Sequence, residues 1–224
     1  MVERNGAGYR GHVRACSTET PDFSSSTMGE LYAVRFPEEL WDADTMPEWE
    51  LPIEVDCLEP GCALKSDMLH ALLGVDLPDP TGTWPESRKD TQLTYPDHDD
   101  DGSPGLTVDA VNSAPYSWPP VAVFPTVVRA RQLMLGIRVT SMFDGTLDTC
   151  DRFEGKGPGT LVQTRAASCI QDSGDVCGSN DTFSTSQATF LDENLPKWTV
   201  ESTNWTVVRL DDDADCADVR NAAY

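Results

Sequence analysis

Residues 97–109 read Asp-His-Asp-Asp-Asp-Gly-Ser-Pro-Gly-Leu-Thr-Val-Asp, an acidic loop that runs directly into a β-strand. Asp97, Asp99 and Asp101 alternate, so in a tight loop their carboxylates converge on one point, and Gly102 stands at the sharp turn. Ca²⁺ takes roughly six to eight oxygen ligands, and such loops supply them from alternate residues. From Leu106 onward the residues alternate with a period of two, as in a half-buried strand. The stretch therefore predicts a Ca²⁺ site at the entrance to a strand.

Further strands are predicted on both sides of this loop from β-branched and aromatic residues bounded by Gly, Pro and Asp. In the most β-like region, residues 121–147, Gly136 is expected to mark a bulge and Asp144-Gly145 is typical of a hairpin turn. The predicted strands are Tyr9–Ala15, Gly29–Phe36, Leu51–Val55, Leu106–Asn112, Val121–Phe124, Val127–Thr140, Thr160–Ile170, Trp198–Glu201 and Trp205–Leu210.

Few helices are predicted. Ser66–Gly74 has a capping serine, leucines at helical spacing and a terminal glycine, which together favour a short helix. Two more short helices are expected at Gln187–Asn194 and from Asp211 to about Ala222. Many short strands with few helices predict a mainly β fold, an antiparallel barrel-like or sandwich sheet with one or two short peripheral helices. Residues 1–28 are expected to be an irregular N-terminal lead-in, and residues 29–224 a single β-rich domain.

The charge excludes several classes of partner. The 224 residues include 16 basic and 38 acidic side chains, a formal charge of -22, so the chain lacks the basic face that nucleic acids or anionic membranes require. No run is apolar and long enough for a transmembrane segment. The three histidines, His12, His70 and His98, form no zinc-binding pair. His98 is expected to point out of the aspartate loop.

Seven cysteines are many for a cytosolic chain without a metal-binding Cys/His pattern. The Pro-Gly turn between Cys57 and Cys62 makes a short-loop disulfide plausible. Cys169 and Cys177 are placed to close a hairpin, and Cys150 with Cys216 to form a long-range bridge, which leaves Cys16 over. Since connectivity does not follow from sequence, these pairs are hypotheses. Oxidised pairs imply an exported protein.

The N-terminus Met1-Val-Glu-Arg-Asn-Gly lacks the apolar core of a signal peptide. An odd cysteine in an exported protein without a signal suggests that the chain is a fragment of a longer exported chain, in which Cys16 has its partner upstream. The competing interpretation is a complete cytosolic protein with free thiols. Cysteine usage favours export to the periplasm, the cell surface or the medium.

The loop Asp97–Gly102 resembles the Asp-x-Asp-x-Asp-Gly start of EF-hands, dockerins and thrombospondin type 3 repeats. That resemblance implies side-chain ligation at Asp97, Asp99 and Asp101 and a backbone carbonyl ligand at Ser103. The twelfth place, where an EF-hand carries a bidentate glutamate, holds Val108, and Asp109 is expected to substitute from the next position. No helix is predicted beside the loop, which argues against a true EF-hand.

A wider resemblance covers residues 29–220. This part of the chain looks like exported proteins, often lipoproteins, of myxobacterial type. The features that carry the resemblance are the acidic loop with its Gly-x-Pro-Gly-x-Thr continuation, Leu72-Leu73-Gly74, Asp79-Pro80, Trp84-Pro85 and the Cys-rich C-terminal half. This resemblance implies a compartment and a β-rich fold but no reaction.

The first functional hypothesis is a non-enzymatic exported calcium-binding β-domain with a structural or ligand-binding role at the cell envelope. The ligand is an envelope component or a small molecule that the sequence does not identify. The alternatives are a secreted carboxylate-dependent hydrolase and a small-molecule carrier with the barrel interior as its pocket.

A second group of aspartates also alternates but lacks the glycine turn, so a helix N-terminus explains it better than a second cation site. The group consists of Asp211, Asp213, Asp215 and Asp218.

Overall fold

Two antiparallel sheets account for most of the structure, a computed structural model that describes residues 2–5, 8–18, 23–24, 31–57, 59–88, 90–112, 130–149, 152–157, 160–171, 174–176, 198–200, 203–208 and 216–222. In chain order the strands are β1 (Val2–Asn5), β2 (Gly8–Arg14), β3 (Phe23–Ser24), β4 (Leu31–Arg35), β5 (Glu48–Val55), β6 (Ala63–Ser66), β7 (Leu69–Leu73), β8 (Leu106–Asn112), β9 (Ala130–Ser141), β10 (Asp144–Thr149), β11 (Arg152–Gly157), β12 (Thr160–Gln171), β13 (Trp198–Val200) and β14 (Thr203–Val208). A 3-10 helix spans Glu38–Asp42 and helix α1 spans Cys216–Ala222.

The first sheet has the order β1-β2-β5-β6-β10-β11-β14, and the second has the order β13-β12-β9-β8-β4-β3, with β7 also paired to β9. Each sheet contains seven strands and curls into a half-barrel. The strand pairs among the described residues are antiparallel. The predicted mainly β, antiparallel fold with short peripheral helices is therefore confirmed.

The centre of the second sheet, around Leu133–Arg138 of β9, is buried on both faces. Its inner face forms the main core, in which Leu106, Val108 and Leu133 are fully buried and pack with Trp41 from the 3-10 helix segment. Each such side chain contributes about 1.5–3 kcal/mol through removal of apolar surface from water. The outer face is covered by the connection between β7 and β8, here called the covering segment (residues 75–88 and 90–96). Its apolar side chains form a second cluster with Leu72, namely Val75, Leu77, Trp84, Leu93 and Tyr95.

Two arginines fasten the covering segment to the sheet. The guanidinium carbons of Arg138 and Arg165 lie 5.1 and 5.8 Å from the centroid of the buried Trp84 ring, an arrangement called here the Trp84 stack. Arg138 donates to the carbonyls of Pro80 and Gly82, and Arg165 donates to that of Pro85. Buried guanidinium groups need such partners, because an unpaired buried charge is costly.

The predicted helix Ser66–Gly74 is wrong. Ser66 ends β6 and Leu69–Leu73 form β7, which pairs with β9 from Leu69↔Ser141 to Leu73↔Ile137. Because both faces of β7 are covered, Leu69, Leu72 and Leu73 are all buried. A short apolar run of this kind does not distinguish a buried strand from a helix by periodicity. Ser66 caps no helix, and its hydroxyl accepts a hydrogen bond from the backbone N–H of Phe143.

The predicted hairpin at Asp144-Gly145 is also wrong. Both residues already belong to β10, where they pair with Lys65 and Leu64 of the first sheet. The preceding strand β9 lies in the second sheet, so the chain crosses between sheets at residues 142–143.

Gly136 marks a close approach and no bulge. It pairs in register with Arg165, and the register shifts of β12 against β9 occur at Ala166/Ser168 and Ile170/Gln171. A Cβ atom at Gly136 would lie 2.7 Å from the Cβ of Val75 and 2.9 Å from the ring of Tyr95. The glycine therefore lets the covering segment approach the sheet, the second common reason for a glycine inside a strand.

The predicted lead-in is not irregular where the structure describes it. Strand β2 pairs with β5 from Tyr9↔Ile53 to Arg14↔Glu48, which accords with the predicted strand at Tyr9–Ala15. The side chain of Arg14 donates to the carbonyls of Trp41 and Ala43, at 3.1 and 2.7 Å. Strands β1 and β2 thus belong to the first sheet, β3 belongs to the second, and Arg14 holds the 3-10 helix segment.

Cysteine pairing confirms one prediction and corrects another. Cys57 and Cys62 are bonded, with Cα atoms 5.4 Å apart. Cys216 pairs with Cys16, 200 residues away, so the predicted Cys150–Cys216 bridge and the leftover Cys16 are wrong. Cys169 is disulfide-bonded, but its predicted partner Cys177 lies outside the described residues. These disulfides indicate a non-reducing compartment.

Several predictions fall on residues that the structure does not describe. They are strand Val121–Phe124, the beginning of strand Val127–Thr140, helix Gln187–Asn194 and the aspartates at 211, 213 and 215.

Gly74 directly follows β7, in a place where only glycine fits. Its φ is 61°, and a Cβ atom there would lie within 2.7 Å of backbone atoms of Leu106 and Gly105, and closer still to the Leu135 carbonyl oxygen. We expect Gly74→Ala to lower the free energy of unfolding by about 1–2 kcal/mol from its backbone conformation and by a further 1–3 kcal/mol or so from overpacking. Urea unfolding of the purified variant measures this loss.

Gly61→Ala is the matched control. Its φ is 92°, yet no atom lies within 4 Å of an added Cβ, so only the conformational part of the cost remains. Equal losses in the two variants would show that β7 and β8 do not crowd Gly74.

The Cys16–Cys216 disulfide should stabilise the fold more than the Cys57–Cys62 disulfide. The two bridges span sequence separations of 200 and 5. The chain-entropy relation gives roughly 5 and 2 kcal/mol for these loops. We expect the double variant Cys16→Ser/Cys216→Ser to melt at a lower temperature than Cys57→Ser/Cys62→Ser in scanning calorimetry. The reverse order would mean that native contacts outweigh loop closure, and a non-reduced digest would verify each remaining pair.

Candidate metal centre

The acidic loop lies where two strands meet end to end along β9. Strand β12 occupies one edge of β9 from residue 130 to residue 140. On the other edge, β7 pairs with residues 137–141 and β8 with residues 132–135. The chain leaves the sheet after β7, crosses its outer face as the covering segment, and re-enters through residues 97–105 into β8. The loop therefore closes at the junction of β7 and β8.

Backbone contacts fix the base of this loop. Asp97 and Gly105 form an isolated parallel bridge, and the N–H of Gly105 donates to the carbonyl of Pro96 at 3.1 Å. Asp100 and Gly102 have φ values of 55° and 84°, which give the tight turn between the two ends. The glycine that the sequence places at the turn thus has the left-handed conformation such loops need.

Three carboxylates converge inside the turn. Ligand atoms of Asp97, Asp99 and Asp101 all lie within 4.8 Å of one another. The Asp97 carboxylate accepts hydrogen bonds from the backbone N–H groups of Asp101 and Gly102, at 3.2 and 2.8 Å. The Asp101 carboxylate accepts one from the N–H of Ser103, at 2.7 Å. Residues 97, 99 and 101 therefore meet as the alternating spacing predicts.

Asp99 is the most constrained of the three. Its Oδ2 accepts a hydrogen bond from the backbone N–H of Thr107, the second residue of β8, at 2.8 Å. Its Oδ1 is shielded from solvent and accepts no hydrogen bond from the described part of the chain. Burial, with smaller contributions from the charge of Asp101 and the side chain of Asp97, raises the pKa of Asp99 to about 6, while hydrogen bonds from the backbone N–H groups of Thr107 and of Asp99 itself lower it. A buried acceptor without a partner is costly, so this oxygen favours a proton or a cation.

His98 points toward the sheet, and the prediction that it points out of the loop is wrong. Its Nδ1 accepts a hydrogen bond from the backbone N–H of Gly74 at 2.9 Å, which requires a ring that is unprotonated at Nδ1. Burial lowers the pKa of His98, while the charges of Asp76 and Asp97 raise it by less. The imidazole ties the loop to Gly74, the residue that directly follows β7.

The loop is also held by a distant segment. The hydroxyl of Thr45 donates to the carbonyl of His98 at 2.8 Å, and the neighbouring Met46 is buried in the main core. Fifty-three positions separate Thr45 from His98, so no local pattern in the sequence signals this contact. Gly74 and Thr107 were likewise not predicted as parts of the site, because their contribution comes from backbone N–H groups that every residue carries.

Two predicted ligands have other surroundings. Asp109 lies in β8 between Arg35 and Gln132 in the strand register, and its Oδ1 accepts a hydrogen bond from Gln132 at 3.3 Å. It is not a member of the converging group. Ser103 follows the turn, and its backbone N–H donates a hydrogen bond to the Asp101 carboxylate. Ligation by the Ser103 carbonyl and by Asp109 stays a prediction.

The arrangement suits a hard cation. Carboxylate oxygens are the ligands that Ca²⁺ and Mg²⁺ prefer, and three negative charges within 4.8 Å repel one another unless a cation or protons compensate them. The Asp99 Oδ1 atom has the lone pairs free for this interaction.

Comparison of the chain with family models, curated proteins and solved structures gave no match. The resemblances to calcium loops and to exported myxobacterial proteins therefore stay predictions. No helix in the described part of the chain has the length and apolar character needed to cross a membrane.

The charge of Asp99 should make the protein less stable at neutral pH when divalent ions are absent. Its folded pKa of about 6 exceeds the ordinary value of 3.8, so the folded state binds this proton more tightly. The resulting stabilisation is complete below pH 3.8 and is lost as the pH rises through about 6. Asp99→Asn keeps an oxygen for the Thr107 N–H and removes the charge. In EDTA near pH 7.5 we expect this variant to have a higher urea midpoint than wild type. The free energy of unfolding should rise by only roughly 1 kcal/mol, because solvent screens the charge of a half-buried group.

The stability that Asp99→Asn gains over wild type should be smaller near pH 4.5, where wild-type Asp99 is largely protonated. Asp100→Asn removes one charge from the exposed neighbour outside the converging group, and we expect no comparable pH-dependent gain. If Asp99→Asn is equally destabilising at both pH values, its carboxylate is satisfied by contacts other than those described.

Proposed function

We propose that this chain is an exported β-domain that binds Ca²⁺ at Asp97, Asp99 and Asp101 and has a structural or ligand-binding role at the cell envelope. The observation that carries the proposal is the Oδ1 atom of Asp99, which is buried among three converging carboxylates and accepts no hydrogen bond from the residues that the structure describes. An ion at this position would supply the missing interaction and offset the mutual repulsion of the three charges.

The location of the loop supports a structural role. Asp99 holds the start of β8 through Thr107, and His98 holds the end of β7 through Gly74. A cation that draws the three carboxylates together would keep the loop closed and fix both strand ends against β9. The folded state alone has this geometry, so binding would stabilise it by mass action.

Calcium is favoured over magnesium by the loop itself. All three carboxylates are already engaged by backbone N–H groups at 2.7–3.2 Å, so the turn limits how far they can shift toward the near-octahedral positions and short bonds that Mg²⁺ demands. Ca²⁺ accepts irregular, partly hydrated coordination and longer bonds, whereas Mg²⁺ demands near-octahedral geometry. The Ser103 carbonyl and Asp109 complete the predicted ligand set. Affinities of about 10⁻⁴–10⁻³ M are typical of calcium sites in extracellular modules.

Export is supported by the cysteines. The Cys16–Cys216 and Cys57–Cys62 bridges fit a non-reducing compartment. The formal charge of -22 keeps the domain soluble and attracts cations toward its surface.

Titration calorimetry with Ca²⁺ tests the proposal. We expect wild type to bind with submillimolar to millimolar affinity, and Asp99→Asn and Asp101→Asn to lose the heat of binding. Asp100→Asn, the matched control, should retain it. Thermal melts in EDTA and in excess Ca²⁺ should differ by several degrees for wild type and for the control, since saturation at 100 times Kd adds about 2.7 kcal/mol.

Two outcomes would overturn the proposal. Wild type that shows no heat at millimolar Ca²⁺ and identical melts with and without EDTA would reduce the loop to a solvated acidic turn. Equal heats of binding from wild type and the Asp99 and Asp101 variants would place the ion elsewhere on the acidic surface. Repeating the titration with Mg²⁺ separates calcium binding from general attraction of divalent ions.

A further inference from the structure

We draw no further inference here: the strongest candidate, the Trp84 stack on the outer face of the second sheet, carries nothing because the hydrogen bonds of Arg138 already end on Gln163 and on the carbonyl oxygens of the covering segment.

Discussion

The pairing of β9 with three strands is the constraint on which the rest of the structure depends. Strand β12 runs along one edge of β9, and β7 and β8 share the other. Residues Leu133 to Arg138 are buried without interruption, since the main core lies beneath them and the covering segment lies above. An antiparallel strand with both faces covered does not alternate apolar and polar residues. The neighbouring strands that are covered in the same way lack this alternation too. Every later feature, including the candidate metal centre, is placed relative to this strand.

Because β7 and β8 pair with the same edge of β9, the ends of the two strands meet there and must pack closely. Gly74 and Gly105 make it possible, because both have positive φ and approach the Leu135 carbonyl more closely than a side chain would allow. The acidic loop fills the space beside this junction and is tied to both strands by His98 and Asp99. A site that binds an ion here would therefore act on the register of the sheet and on the loop together. This coupling is the physical reason for proposing a structural role.

The chain ends are joined by covalent chemistry as well as by pairing. Cys16 follows β2, and Cys216 begins α1, so their bond links the N-terminal strands to the C-terminal helix. The Cys216 sulfur also lies 3.9 Å from the carbonyl of Trp41, whose ring packs in the main core. Such a bond limits the freedom of the unfolded chain, which matters for a domain whose many like charges repel one another.

Local chemistry in the sequence determined the class of fold and the position of the acidic loop. Residues 106–112 alternate and form β8, and Pro-Gly between Cys57 and Cys62 brings those thiols together. The alternating spacing of Asp97, Asp99 and Asp101, followed by the turn at Gly102, brings their carboxylates together. Each of these outcomes depends on neighbours a few residues apart. Tertiary structure alone decided that Leu69–Leu73 is a strand, that Cys16 pairs with Cys216, and that His98 faces Gly74. In those cases the deciding partner is 24 to 200 positions away in the sequence. For β7, burial on both faces also removes the alternating pattern from which a strand is predicted.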